Sequence, residues 1–299
     1  MNSSANPYAD LVVGYARLFR DGKNYPLGGV APGARPDPSG DAPRALIFSP
    51  HPDDECIIGG LALRLLRESG WKVINVAVTQ GSARARQAER WQELQNACRF
   101  LGFDLLPTAP NGLEKVNPKT RQSEPATWEP MVKVMAGILR NERPRVIFFP
   151  HEHDWNSTHI GVHFLVMDAL RAMGSEPAET LHLVETEYWG QMVDPNLMVE
   201  CSAGDVADLV TGVSFHVGEV KRNPFHLLLP AWMQDNVRRG SELVGGQGEA
   251  APDYSFATLY RHRLWRDGHL ENVSNSDRKL GALQPPGARF EKVTGSVSR

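Results

Sequence analysis

The chain has little that would mark it for an oxidising compartment, a membrane or a nucleic acid. Its three cysteines, Cys56, Cys98 and Cys201, are odd in number and widely spaced, which excludes a disulfide framework and a Cys-pair metal motif. All three read as reduced, structural residues. No apolar run reaches the length that spans a bilayer. No basic segment followed by an apolar core opens the chain, so no signal peptide is expected. Acidic residues outnumber basic ones by only three, 35 against 32, which leaves no cationic footprint for nucleic acid or an anionic membrane. Internal repeats are absent. A cytoplasmic location is the default that follows. With 41% apolar and 22% charged residues, the 299-residue chain has an ordinary globular composition and room for one large or two modest domains.

Against this plain background one run stands out, His51-Pro52-Asp53-Asp54-Glu55. It follows the apolar stretch Ala45-Leu46-Ile47-Phe48-Ser49 and precedes Gly59-Gly60. A buried strand ending in an imidazole and adjacent carboxylates gathers metal-capable and proton-capable groups on one short loop. Neighbouring aspartates repel, and burying them needs a cation or a solvated role. A divalent metal meets that need, whereas a solvated turn capping the next helix is the plain alternative.

A second run, His151-Glu152-His153-Asp154-Trp155-Asn156-Ser157-Thr158-His159, also follows a compact apolar segment, Val146 to Pro150, and precedes a helical pattern from Ile160 to Met173. Two strand ends of this kind can meet at the carboxyl edge of a parallel sheet, where open α/β folds bind ligands. His51, Asp54 and His159 would then form a three-ligand site with an open position for water, the set expected of a catalytic zinc. The same set also suits another divalent ion such as non-haem iron.

The first run resembles the signature of the N-acetylglucosaminyl deacetylases of the LmbE-like (PIG-L) superfamily. Thr79-Gln80-Gly81, Arg90 and Glu93 at R-x-x-E spacing, and Leu101-Gly102 support the resemblance, and Asn156 to His159 aligns with the family's second signature, usually His-Pro-Asp-His. The resemblance covers roughly residues 44–240. It implies a Rossmann-like, mostly parallel sheet with helices on both faces, and a zinc-dependent enzyme that hydrolyses acetamido groups on sugars. A minority of such proteins hydrate an unsaturated acid, so fold alone does not fix the substrate. The resemblance makes His51, Asp54 and His159 the ligands of one zinc, Asp53 the general base and Arg90 a substrate-binding residue.

Three departures accompany it. Asn156 stands where the second signature begins with His, Thr158 stands where it has Asp, and Asn111 in Pro110-Asn111-Gly112 replaces an expected acidic residue. An amide cannot act as an acid. The proton donor is then His151, His153 or His163, with His153 placed in the site, or Asp53 alone. Asn156 remains a candidate donor to the developing oxyanion.

The chain divides into an N-terminal helix and Gly/Pro-rich arm (1–43), a single catalytic domain (44–240) and a C-terminal cover with a flexible tail (241–299). The arm suits wrapping the core, reaching a partner subunit, or standing as a mobile leader. Helices are expected over Tyr8 to Arg20, Gly59 to Glu68, Arg84 to Phe100, Glu129 to Arg140 and from about His159. The last has Ser157 or Thr158 as cap. Strands are expected near Ala45, Trp71 to Thr79, Val146 and Leu181 to Trp189. Gly102 reads as a C-cap, residues 107–124 as a polar rim loop, and the last twenty residues as disordered. Arg90 and Glu93 can pair on one helix face. His163 reads as a packed helix histidine, and His216 and His226 as residues without a second ligand at recognisable spacing. Tyr188 and Trp189 are candidates for stacking on a sugar ring, as they are for ordinary core aromatics.

The function expected is hydrolysis of an N-acyl group on an amino sugar by metal-activated water, with Asp53 as base. A zinc hydratase or lyase acting on an unsaturated carboxylate would use the same ligands, with Arg90 on the substrate carboxylate. A binding protein on an inactive scaffold is the third reading. The expected partner is a small molecule, and a homo-oligomer is compatible with the sequence.

Overall fold

The computed structural model describes residues 6–33, 37–176, 180–273 and 278–290. In chain order the helices and strands are α1 (Tyr8–Gly22), β1 (Arg44–Ser49), α2 (Asp54–Ile57), α3 (Gly60–Ser69), β2 (Lys72–Ala77), α4 (Gln87–Leu101) and β3 (Asp104–Pro107). There follow α5 (Pro118–Ser123), α6 (Pro125–Glu142), β4 (Val146–Pro150), α7 (Ser157–Met173), β5 (Leu181–Thr186) and β6 (Leu197–Cys201). The chain continues through α8 (Ala203–Ser214), α9 (Val217–Arg222), α10 (Leu229–Leu243), β7 (Phe256–Arg266), β8 (His269–Asn272) and β9 (Lys279–Leu280).

One sheet runs in the order β3-β2-β1-β4-β5-β7-β6-β9, with β8 beside β7. Strands β1 to β5 are parallel, and β7 enters antiparallel between β5 and β6. Both sheet faces are covered, so β1 is a continuous apolar run rather than an alternating one. Ala45 and Ile47 join a core with Leu61, Leu65, Leu94 and Leu209 on one face. Leu46 and Phe48 join Met135, Leu139, Val162 and Leu165 on the other. This is the mostly parallel, Rossmann-like sheet expected from the sequence. Gly102 ends α4 at φ +91°, its N–H donating to the Cys98 carbonyl. That left-handed conformation has little cost for glycine.

Several segments depart from expectation. The rim loop contains α5, which Asn117 caps by accepting from the Thr120 N–H at 2.9 Å. The stretch after Ser241, expected as a cover, supplies β7 to the sheet itself. Residues 280–290, expected as disordered, are held: buried Arg64 donates to the carbonyls of Gly281 and Gln284 at 3.1 and 2.9 Å, and Phe290 is fully buried. The rest of the expected disordered tail, 291–299, lies outside the described residues. The N-terminal arm lies against the core, with the Gly28 N–H on Ser214 Oγ at 3.2 Å, while Leu11, Val12 and Leu18 of α1 stay exposed. No helix among the described residues is long and apolar enough to cross a membrane. Cys56, Cys98 and Cys201 are buried and form no disulfide among the described residues.

Candidate metal centre

Strand β1 has β2 on one side and β4 on the other, so its connection and that of β4 leave the sheet in opposite directions. This is a topological switch point, and the crevice there lies outside the carboxyl strand ends. The loop after β1 carries His51, Asp53 and Asp54; the loop after β4 and the first turn of α7 carry Asp154 and His159.

Three donor atoms converge across that crevice. His51 Nδ1 lies 3.2 Å from His159 Nε2 and 3.5 Å from Asp54 Oδ2, and His159 Nε2 lies 3.3 Å from the same carboxylate oxygen. A tetrahedral ion bound at zinc-like distances separates its donors by roughly 3.3 Å. Two imidazoles and a carboxylate meeting at one point fit a divalent ion in number, type and spacing. Burial works against the ionised Asp54, yet the His159 and His51 rings hold its carboxyl well below the usual range. Burial also opposes charge on His159, but Asp54 and Asp154 push it up to about 10.

The loops around the donors are tied to each other. The His51 N–H donates to Asp54 Oδ2 at 2.8 Å. Asp154 Oδ1 accepts from the Asn156 N–H at 2.8 Å and lies 3.4 Å from His159 Nδ1. Its other oxygen accepts from the Trp189 and Gly190 N–H groups, both at 3.1 Å. A carboxylate behind a ligating imidazole fixes ring orientation, and Asp154 fits that part.

Asp53 is buried beside the donors without being one of them. Burial, then repulsion from Asp54, raises its carboxyl well above the ordinary range. Asn156, expected as an oxyanion donor, caps α7: its Oδ1 accepts from the Thr158 N–H at 2.8 Å, the task expected of Ser157 or Thr158. His153 is exposed on the loop. His151 is buried with both ring nitrogens engaged, Nε2 with the Gly190 carbonyl at 2.9 Å and Nδ1 accepting from the His153 N–H at 3.3 Å. His163 packs against Phe149 and bonds the Pro150 carbonyl at 3.0 Å, as a core helix histidine. Glu152 and Glu185 beside it already have Arg261 and Arg263 as partners, so no cation is called for there.

The residues expected to bind substrate separate. Arg90 does not reach out: its Nη2 donates to the Pro52 carbonyl at 2.9 Å, and only 11% of its side chain is exposed. Nor does it pair with Glu93, whose Oε1 accepts from the Gly218 N–H at 2.9 Å. Tyr188 is buried edge-on to His159, ring centroids 4.9 Å apart, and has no face left for a sugar. Trp189 is 42% exposed and meets Phe225 edge-on, which leaves it as a rim aromatic. Asn111 is exposed on a turn that bridges to Thr79 through Gly112, at the end of β2. The sequence reading missed Asp154, Glu55 and His216. Asp154 stood inside the second motif. The partner of His216, by contrast, is Glu55, too far away along the chain for any spacing rule to join them.

Fold and donor set together define an α/β domain with a metal-type centre at the switch point of its parallel strands. Residues 46–170 match the family model described as PIG-L, GlcNAc-PI de-N-acetylase. Among solved structures the chain is similar to a conserved protein of Thermus thermophilus, at 20% identity, TM-score 0.53, over 72% of this chain and 92% of that one. It is similar to the N,N′-diacetylchitobiose deacetylase of Pyrococcus horikoshii, at 17% identity, TM-score 0.52, over 84% and 92%. The 4-carboxy-2-hydroxymuconate hydratase of Pseudomonas putida is similar at 16% identity, TM-score 0.52, over 78% and 100%. At these identities the likeness is one of fold. No curated protein matches the chain in sequence.

Proposed function

We propose that the protein is a zinc-dependent hydrolase that removes an acyl group, in the simplest case acetyl, from the nitrogen of an amino sugar or sugar conjugate. The observation that carries this reading is the convergence of His51 Nδ1, Asp54 Oδ2 and His159 Nε2 within 3.2–3.5 Å of one another, with Asp53 alongside. The PIG-L match and the deacetylase fold neighbour support hydrolysis of an amide.

His51, Asp54 and His159 would hold the ion. When bound, it would supply a water of lowered pKa and polarise the acyl oxygen. Asp53 takes up a proton from the attacking water and returns it to the leaving nitrogen. A carboxyl beside the donors is placed to accept that proton as the carboxylate and to give it back as the acid. Asp154 keeps the His159 ring in place. The Asn156 side chain, anchored through Oδ1, has its amide N–H group left as a donor toward the oxyanion. Trp189 is an exposed aromatic available to a sugar face.

A second reading, hydration of an unsaturated carboxylate, keeps one specific observation in its favour. His151 is engaged at both nitrogens and Asn156 stands where the family pattern has a histidine, so Asp53 is the simplest donor to an amine. Hydration has no amine to release: Asp53 would pass the proton taken from water to the substrate carbon that does not receive the hydroxyl. The test is amine release from a panel of N-acetylated sugars and conjugates by zinc-loaded protein beside Asp53→Ala. Release that vanishes in the variant supports the deacylase. No release from any member, with water addition to an unsaturated carboxylate, supports the hydratase instead.

A further inference from the structure

Asp53 holds a backbone conformation rarely adopted by L-residues, φ +120° and ψ −26°. Strain of this kind persists only where surrounding contacts over-determine it. Here both polar groups of the peptide joining Pro52 to Asp53 are taken. Arg90 Nη2 donates to the Pro52 carbonyl at 2.9 Å, and the Asp53 N–H donates to Glu55 Oε2 at 3.0 Å. Arg90 has the space to do so because residue 81 is glycine: a Cβ there would lie 2.2 Å from Arg90 Nη1.

Glu55 is fully buried, and its other oxygen, Oε1, engages His216 Nε2 at 2.7 Å and the Cys56 thiol at 3.1 Å. His216 is also fully buried and stands at the start of α9. That helix is fixed from α4 by Glu93 on the Gly218 N–H at 2.9 Å, and from just before α4 by Arg86 on Glu219 at 2.9 Å. A buried carboxylate is tolerable only with its lone pairs answered. Without the His216 donor, Glu55 would be drawn toward another partner and would release the Asp53 N–H.

We infer that His216, acting through Glu55, is a positioning residue that clamps the Pro52–Asp53 peptide and thereby aims the Asp53 carboxyl at the metal centre, with Arg90 closing the other end of the clamp. The catalytic value of the clamp rests on the hydrolase reading of Asp53; the clamp itself rests on the hydrogen bonds alone.

The experiment compares full-length His216→Phe, His216→Gln and Arg90→Met with the wild type by zinc stoichiometry, steady-state kinetics and crystal structure. In His216→Phe, kcat falls roughly 10–100-fold, the range for residues that support a site from behind. KM and zinc content stay unchanged, and φ of Asp53 leaves the positive region. His216→Gln, whose amide nitrogen can reach Glu55, recovers most of both. Arg90→Met lowers kcat rather than raising KM, and it carries the test alone if His216→Phe fails to fold. Asp53 remaining near φ +120° in the variants, or an undiminished kcat in His216→Phe, overturns the clamp. If the wild type hydrolyses no amide at all, the hydrolase reading falls, and φ of Asp53 in the variant structures still decides the clamp.

Discussion

Asp154 stands behind His159 as a carboxylate behind an imidazole, Oδ1 to Nδ1 3.4 Å, while its second oxygen fastens the backbone of Trp189 and Gly190. One side chain thus orients a proposed metal ligand and joins the loop after β4 to the loop after β5. Asp154→Asn keeps the size but weakens the pull on the Nδ1 proton. Zinc affinity is expected to fall by roughly 10–100-fold, with the fold intact. Competition against a chelating dye measures this, and an unchanged Kd would remove Asp154 from the centre.

Asp53 lies outside the group of three donors, so its loss separates chemistry from metal binding. Asp53→Asn is expected to keep one zinc per chain while kcat drops by roughly 10²–10⁴, the usual contribution of a positioned acid–base group. Metal analysis and turnover on the same sample test the two halves together. Near-normal turnover would strip Asp53 of its proposed part.

The contrast between Asp53 and His216 shows what could be read from the sequence and what could not. The donors His51, Asp54 and His159 sit in compact runs next to apolar strands, so local pattern exposes them and the parallel sheet that joins them. Tyr188 and Arg90 also lie in legible surroundings, yet their direction depends on tertiary packing: one ring turns edge-on beneath His159, and one guanidinium turns back to the Pro52 carbonyl. Strand β7 was missed for a related reason. It is paired on both sides by β5 and β6, and its charged Arg261 and Arg263 are answered by Glu185 on β5, a pairing that no local periodicity reveals. Glu55 and His216 belong to this non-local class, since only folding brings them within 2.7 Å.

Gly161 tests the packing around α7, the helix that carries His159. On helix propensity alone, Gly161→Ala would stabilise the protein by about 1 kcal/mol. The contact overrides this: a Cβ at that position would lie 2.6 Å from the backbone of Val116 and Asn117. Backbone cannot rotate aside as a side chain can, and overpacking of this sort costs about 1–3 kcal/mol. The net expectation is destabilisation, read as a lower denaturant midpoint. A higher midpoint would show that the 116–117 segment yields freely.

His182 and His262 give the molecule a titration separate from the metal centre. They stack in the sheet with ring nitrogens 2.9 Å apart, and Phe290 meets both edge-on. Burial, then the nearby Arg145, lowers His182 to about 4, and burial with His182 itself lowers His262 well below its ordinary value. In the unfolded chain both titrate near about 6.5, so below that pH the unfolded state binds protons that the folded state refuses. The stability held above about pH 6.5 is therefore lost progressively as pH falls toward 4. Melting curves between about pH 7.5 and 4.5 should show Tm falling more steeply in the wild type than in His182→Gln, which removes one member of the pair. Parallel slopes for the two proteins would mean that the pair accepts protons in the folded state.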